Sequence, residues 1–447
     1  MDMNLFIDKL LEAAREAGLT SAEVYCAEGS SFRARAMEGE IKDYQVSSSS
    51  GLNLRGVWEG RMGYASTQAY DEAAIAQLIE GVKESASLTE AEEQDEIFAG
   101  EKEYPVLEKK ESDIASVSAQ EKLDACLAIE KAALEADSRV WKVQGASVST
   151  MSSKTILRNS YGLNLTSEGS LCLAYASAIA KDGESAGTGM GLGCFGRFDA
   201  LDPQKIGREA AQEAVSHLNG SSVPAGEYRV IFRNDAMCDL LGTFEGIFSA
   251  ENAQQKLSLL AGREGEKIAA EAVTLMDDPL LPGGLATSAF DAEGSASRTK
   301  AVIDKGVLTT LLHSRKTARK QGVSTTGNAS RAGYTSPVRV APTNFFFQPG
   351  EKDLQQLIND MGEGLVITDL AGLHAGANPT SGDFSLLSKG YLVKDGKVCG
   401  AVEQITVAGN FYQVLKNIRA VGSDLLFPGS STGSPSVDAG VLNVAGK

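Results

Sequence analysis

Histidine is the residue that most often holds a catalytic metal or moves a proton near neutral pH, and this chain has three, His217, His313 and His374. None is followed by Glu, and no two could share one helical turn. A zinc-protease helix of the HExxH type, which sets two imidazoles on one face and a Glu beside the bound water, is therefore excluded. His374 lies in Gly372-Leu-His-Ala-Gly-Ala-Asn-Pro-Thr-Ser-Gly-Asp383. That segment reads first as a rigid Gly/Pro loop shaped to approach another backbone. Its second reading is the lining of a peptide channel, with His374, Asn378 and Asp383 as the polar groups. His217 is expected at a helix end, in contact with the helix C-terminus. His313, at the start of a Lys/Arg-rich helix, is expected on the surface.

The remaining chemistry is sparse. Six cysteines, Cys26, Cys126, Cys172, Cys194, Cys238 and Cys399, show no CxxC or comparable ligand spacing. They are expected to be reduced and partly buried, as in a cytosolic protein, with Cys399 a core thiol. Gly191-Leu-Gly193-Cys-Phe-Gly196 matches GxGxxG, but the next helix begins only at Pro203, so a glycine loop is expected rather than a dinucleotide site. There is no GxSxG elbow, and abundant serines leave no basis for choosing a triad. A hydrolytic site built from Asp, Glu or the Ser430 and Ser431 hydroxyls is a weaker further possibility.

Charge narrows the partners. A formal charge of −17 opposes a broad nucleic-acid surface, because phosphate binding needs clustered Lys and Arg. The densest acidic run, Glu90 to Glu103, holds seven carboxylates and one lysine and is expected as a solvated loop. The basic run His313 to Lys320, with four Lys/Arg, is expected as an exposed helix face. The first helix is interrupted by Asp8, Lys9, Glu12 and Arg15, which rules out a signal-peptide h-region, and no run suits a membrane span. The expected location is cytoplasmic.

These residues must be positioned by an α+β fold. Apolar Phe6, Leu10, Leu11 and Ala14 predict a first helix. Strands are predicted at Ser31–Met37, Ile41–Val46, Leu52–Val57 and Gly63–Ser66, with Ser47–Ser50 and Glu59-Gly60 as turns. A helix follows over Tyr70–Val82. The capping box Ser118-Ala-Gln-Glu121 opens another over Ala119–Ala136. Strands are predicted at Val140–Val148, Lys154–Asn159 and Leu163–Ile179. Asp202 and Pro203 mark the start of a helix ending near Asn219-Gly220. Beyond a boundary at Ser221–Gly226 come a strand (Tyr228–Phe232), a helix (Met237–Phe248) and many strands, with hairpin turns at Asp304-Lys-Gly306 and Asp395-Gly396. Antiparallel sheets packed with helices are thus expected in two main halves. They are an N-terminal α+β region, 1–220, divisible at about 110 into 1–110 and 111–220, and a larger β-rich C-terminal domain, 221–447.

An ordered set of segments resembles the TldD/PmbA family, proteins first labelled modulators of DNA gyrase and regarded as metalloproteases. The set comprises Asp291-Ala-Glu-Gly294, Ala301 to Leu308, Ser324-Thr-Thr-Gly-Asn-Ala-Ser-Arg331, Gly372 to Ser385, Ile405 to Asn410 and Ile418 to Asp424. Gly51 to Arg55 and Gly60 to Ala65 agree with the family's first sheet, so the resemblance spans nearly the whole chain. TldD-like subunits carry an HExxxH helix and a C-terminal Cys as metal ligands. Histidines five apart diverge by roughly 140° on a straight helix, so such a helix must distort to bring both to one metal.

At the corresponding place this chain reads Met237-Cys-Asp-Leu-Leu-Gly-Thr-Phe-Glu-Gly-Ile-Phe-Ser249, without histidine, and Pro428-Gly-Ser-Ser-Thr-Gly433 stands where the Cys would follow. Cys238, Glu245, Ser430 and Ser431 mark this degenerate metal-site region. The resemblance is to the PmbA/TldE branch. It implies a non-catalytic or regulatory subunit that binds no cofactor itself and leaves zinc to a TldD-like partner. The pair would hold unfolded or modified peptides as an added strand in a chamber. An independent homo-oligomeric peptide-binding or scaffold protein, for example a homodimer, is the alternative. Membrane contact and direct nucleic-acid contact are not expected.

Overall fold

The computed structural model describes residues 1–88, 96–108 and 112–446. Helix α1 (Met3–Glu16) starts at Asp2, whose carboxylate accepts the Asn4 and Leu5 N–H groups, and buries Phe6, Ile7, Leu10 and Ala14. Two long strands follow, β1 (Ser21–Met37) and β2 (Glu40–Trp58), with the shorter β3 (Arg61–Thr67), then α2 (Glu72–Leu88), which runs later than the Tyr70–Val82 predicted. Helix α3 (Ala119–Ala136) has the expected capping box, with Ser118 and Glu121 bonded reciprocally. Strands β4 (Val140–Asn159), β5 (Asn164–Asp182) and β6 (Ser185–Phe195) lead to α4 (Pro203–Ser216), capped by Asp202 as expected.

All six strands form one antiparallel sheet, ordered β3-β2-β1-β4-β5-β6, which runs through both sides of the expected division near 110. Strands of 17 to 20 residues span roughly 55–65 Å, long enough to seat two helix pairs end to end. Alternate β1 residues show this. Ala22, Val24 and Cys26 lie under α1 and α2, whereas Phe32, Ala34 and Ala36 lie under α3 and α4.

Two expectations fail in this sheet. Ser47–Ser50 is not a turn but the middle of β2, paired with β1 from Ser47↔Ser31 to Ser50↔Glu28. The serines are mostly exposed, so small polar side chains serve there without an apolar alternation to betray the strand. The GxGxxG segment is not a loop either, since all but Gly196 lies in β6. Its glycines admit α4: a Cβ on Gly191 would sit 2.1 Å from the Ile206 carbonyl, and one on Gly189 2.1 Å from the Ala214 nitrogen.

The C-terminal half begins with β7 (Gly226–Phe232), α5 (Asn234–Phe244), a 3-10 turn (Glu245–Phe248) and α6 (Ala250–Gln254). Next come β8 (Leu275–Asp277), β9 (Lys300–Asp304), β10 (Val307–Leu308), α7 (Arg315–Gln321), β11 (Ala329–Ser330), β12 (Arg339–Val340) and β13 (Phe345–Phe347). The chain closes with α8 (Leu354–Met361), β14 (Gly364–Ala371), α9 (Leu373–Gly376), β15 (Asp383–Lys394), β16 (Lys397–Asn410), α10 (Phe411–Asn417), β17 (Ala420–Val421), β18 (Thr432–Gly433) and β19 (Val437–Ala445). One sheet is ordered β16-β15-β14-β7-β19-β17, and β19 also pairs with β16, so five strands close into a ring. A second sheet is ordered β10-β9-β8-β13-β18. The hairpins turn at Lys305-Gly306 and Asp395-Gly396, all four residues at positive φ, as the sequence predicts. The largest core cluster joins α5 to ring residues such as Val230, Leu365, Leu386 and Val407. The α+β class is as read from the sequence.

A seam between helix α5 and the C-terminal turn

Helix α5 is shorter than predicted because the chain tightens into the 3-10 turn at Glu245. Met237, Leu240, Leu241 and Phe244 are buried, and Phe244 stacks on Phe411 with centroids 4.7 Å apart. Its start is tied down by the segments on either side of β18. The Asn234 amide donates to the Asp424 carbonyl at 2.9 Å and the Asn234 N–H to Ser436 Oγ at 3.1 Å, while Ser436 Oγ donates to Asp424 at 2.7 Å. This accounts for the motif that ends in Asp424.

The fold brings Cys238 and Glu245 against residues 426–434, but not through the side chains of Ser430 or Ser431. Cys238 donates to the Leu426 carbonyl at 3.4 Å, and burial pushes its thiol up to about 12. Glu245 accepts from Thr432 Oγ1 at 2.7 Å; burial raises its pKa against that hydrogen bond. Ser430 Oγ turns back to the Thr432 carbonyl at 3.0 Å, and Ser431 contributes its carbonyl, which accepts the Phe345 N–H at 2.8 Å. Thr432 is the polar partner that sequence reasoning did not single out; its place within Pro428–Gly433, three residues past the Pro-Gly turn, was the available signal. On the exposed side of α5, Asp239 is raised to about 6 by surrounding protein, with Asp235 and Asp369 adding repulsion.

Zinc takes four donors from thiolate, imidazole or carboxylate. This seam offers a thiol held protonated by burial and a carboxylate engaged by a hydroxyl, which does not fit zinc. Among the described residues no three His, Cys, Asp or Glu side chains converge as a ligand set.

Helix α9 packs against α5 and opens the Gly372–Asp383 segment. Asn378 and Asp383 line an open cleft of about 610 Å³ there, while His374 stands exposed on α9 outside its lining. Both lining residues brace the loop. Asn378 Oδ1 accepts the Thr380 and Ser381 N–H groups, and Asp383 accepts from Ser381 Oγ and Asn410 Nδ2, each at 2.8 Å. Those last two bonds hold the exposed Asp383 carboxyl below its usual range, Asn410 foremost.

Two further motifs join the halves. Glu23 and Arg55 of the first sheet meet Glu293 and Arg331 of the C-terminal half in a buried cluster. Arg55 Nε lies 2.8 Å from Glu23, Arg331 lies 3.1 Å from Glu23, and Arg55 lies 3.8 Å from Glu293. Asp291 shapes the adjoining turn by accepting N–H groups of Glu293, Ser295 and Ala329; burial and the Glu293 charge push it up to about 7 against those bonds. Asn328, from the Ser324–Arg331 motif, bridges Asp277 and Lys300 at 2.8 and 3.1 Å.

Three single-residue expectations are corrected. His217 caps α4 but is fully buried, stacked on Tyr391 at 5.1 Å and 3.3 Å from Glu213, which also binds Arg233 of the other half. The helix end has become an interface between the halves, which helix-end electrostatics alone does not foresee. His313 is buried, its N–H donating to Thr326 Oγ1 and its carbonyl accepting the Asn328 N–H while the preceding Leu312 bridges Ser249, and burial lowers its pKa. Cys399 is exposed near the tip of the β15–β16 hairpin rather than in the core. Residues 90–95 of the expected acidic loop lie outside the described residues, but Glu96 and Glu101 are not free. Both pair with arginines of the C-terminal half, so the basic helix face is not simply exposed.

Comparison with known proteins gives matches along the chain. Residues 22–86, 112–218 and 225–446 match the PmbA/TldA metallopeptidase domain 1, central domain and C-terminal domain. A metalloprotease PmbA of Escherichia coli O157:H7 is 27% identical over 431 residues, covering 93% of this chain and 92% of that one. A structure from Thermotoga maritima described as a modulator of a DNA gyrase superposes with a TM-score of 0.93 at 34% identity, covering 99% of this chain and all of the other. TldE from Thermococcus kodakarensis, at 23% identity and covering 99% of this chain and all of the other, has a TM-score of 0.89 and speaks to the fold.

Proposed function

We propose, on the premise that this chain belongs to the PmbA/TldD metallopeptidase family, that it is the TldE-like subunit of a two-component metalloprotease. It supplies no metal ligands and depends on a TldD-like partner that carries zinc. The observation that carries this is the α5 seam, where the polar groups at the family's metal helix are satisfied inside the chain by Thr432, Leu426 and Asp424. The substrates are unfolded or modified peptides. A second feature supports strand-like capture: from Glu40 to Gly51, β2 pairs only with β1 among the described residues, because β3 covers only Leu52–Trp58. Such an edge offers backbone N–H and C=O groups without regard to sequence.

The cytoplasm suits this work; no described helix is long and apolar enough to cross a membrane. Size-exclusion chromatography with light scattering of this chain mixed with a TldD-like subunit tests the pairing. A stable hetero-oligomer is expected. A persistent homodimer that ignores the partner would favour the independent scaffold instead.

A further inference from the structure

The two charge runs that read as separate solvated surfaces meet in the fold. Arg315 and Arg319 of α7 and Arg298 before β9 surround a cleft of about 300 Å³, with Ser324, Thr325 and Glu101 in its wall. Glu96 Oε1 accepts from Arg315 at 2.9 Å and also from Arg319, and Arg298 lies 3.3 Å from Glu101. The Arg315 guanidinium lies 3.7 Å over the Phe98 ring. Glu96, Phe98 and Glu101 thus sit against the arginines that line the cleft.

Simple stapling of a connecting segment would explain the pairs, but three details exceed it. Among the described residues three guanidiniums face two carboxylates, and Arg319 Nε is buried with no hydrogen-bond partner. The cations converge in a chain whose net charge is −17, so their local field is an exception that selects anions. Each pair has one half-exposed member, Glu96 at 50% beside Arg315 at 22% and Arg298 at 58% beside Glu101 at 28%, so water reaches the clasp and it can be exchanged for another carboxylate. A cleft this small suits one or two carboxylates on a peptide better than a cofactor. Arginine's planar fork is the matching donor.

We propose that this cleft is a carboxylate subsite for acidic peptide segments or a peptide C-terminus, filled in the free chain by Glu96 and Glu101 as internal stand-ins. The peptide identity of the occupant rests on the function proposed above; the anion preference rests on the arginines.

The test uses the full chain and fluorescence anisotropy with labelled, end-capped peptides carrying three consecutive Glu or three Gln. A Gln peptide with a free C-terminal carboxylate and inorganic phosphate form the other arms. The Glu peptide is expected to bind about tenfold tighter than the capped Gln peptide, and to weaken as salt rises from about 50 to 300 mM. Glu96→Gln/Glu101→Gln should tighten binding several-fold, and Arg298→Gln/Arg319→Gln should weaken it about tenfold. Tight binding of the free-carboxylate Gln peptide would assign the terminal carboxylate as occupant within the same proposal.

Equal affinity for Glu and capped Gln peptides, with no gain from the free carboxylate, overturns it, as does no effect of the double glutamate variant. Phosphate competing as well as the peptide overturns the peptide occupant. The glutamate variant keeps every arginine in place, so the test survives if the arginine variant misfolds. Failure here leaves the partner question untouched, because that is read from complex formation and zinc.

Discussion

The α5 seam and the contact between the first sheet and the C-terminal half both gather buried polar side chains, and the two are satisfied differently. In the seam, hydroxyls and carbonyls of nearby segments take up Cys238 and Glu245 one at a time. At the contact, Glu23 serves two arginines from opposite halves, and Arg55 reaches two glutamates. A site that binds a ligand needs donors or acceptors left waiting; the seam has spent them locally. The contact uses full charges that are stable only while both halves stay together. The seam is therefore closed by local hydrogen bonds, and the charged contact is a brace.

The contrast can be broken most easily at the brace. Arg55→Ala leaves Glu23 buried without its nearest cation, and the expected loss is about 3–5 kcal/mol of unfolding free energy in urea titrations. A loss no larger than that of a surface substitution would mean that the cluster holds nothing together.

The other cross-half cluster should show its charge through pH. Burial works against the Glu213 carboxylate, but hydrogen bonds from His217 and Arg233 hold its pKa down at about 2, below an ordinary value of 4.5. A depressed folded pKa gives stability that is present above the unfolded value and is lost as pH falls through the folded one. Its contribution is on the order of 3 kcal/mol at neutral pH. Glu213→Gln should flatten the fall in stability between pH 4.5 and 2; an unchanged acid limb would remove Glu213 from the interface energetics.

Within the seam the effects should be smaller. Thr432→Val removes one hydrogen bond to Glu245 and is expected to cost about 1–2 kcal/mol by thermal or urea unfolding. A cost matching that of Arg55→Ala would erase the contrast. Smallest of all is the thiol count. Cys399 is exposed, whereas burial raises Cys26, Cys172 and Cys238 to about 12 and Cys126 and Cys194 to about 11. One thiol should label quickly with a disulfide reagent at neutral pH, and Cys399→Ser should abolish that phase without changing stability. Rapid labelling of Cys238 would show a thiolate in the seam.

Much of this was legible where the signal is local. Ser118 with Glu121, and Asp202 with Pro203, announce α3 and α4 because capping is settled within four residues. The turns at Lys305-Gly306 and Asp395-Gly396 are legible for the same reason. Ser47–Ser50 misled because a strand exposed over that stretch has no apolar alternation to display. Gly191 misled because its task, admitting the α4 backbone, is set by a helix more than ten residues away. Burial of His313 and exposure of Cys399 depend on which segments pack over them, and charge runs do not announce their partners. At the seam, the missing histidines were plain in the sequence, but Thr432, which engages Glu245, emerges only when β18 is laid beside β13.

The most direct test of dependence on a metal-bearing partner is paired. Zinc content and cleavage of an unfolded fluorogenic peptide are measured for this chain alone, for a TldD-like subunit alone, and for the two mixed. The expected result is no stoichiometric zinc and no cleavage for this chain alone, with full activity and one zinc site only in the mixture. Stoichiometric zinc with full cleavage by this chain alone would contradict it.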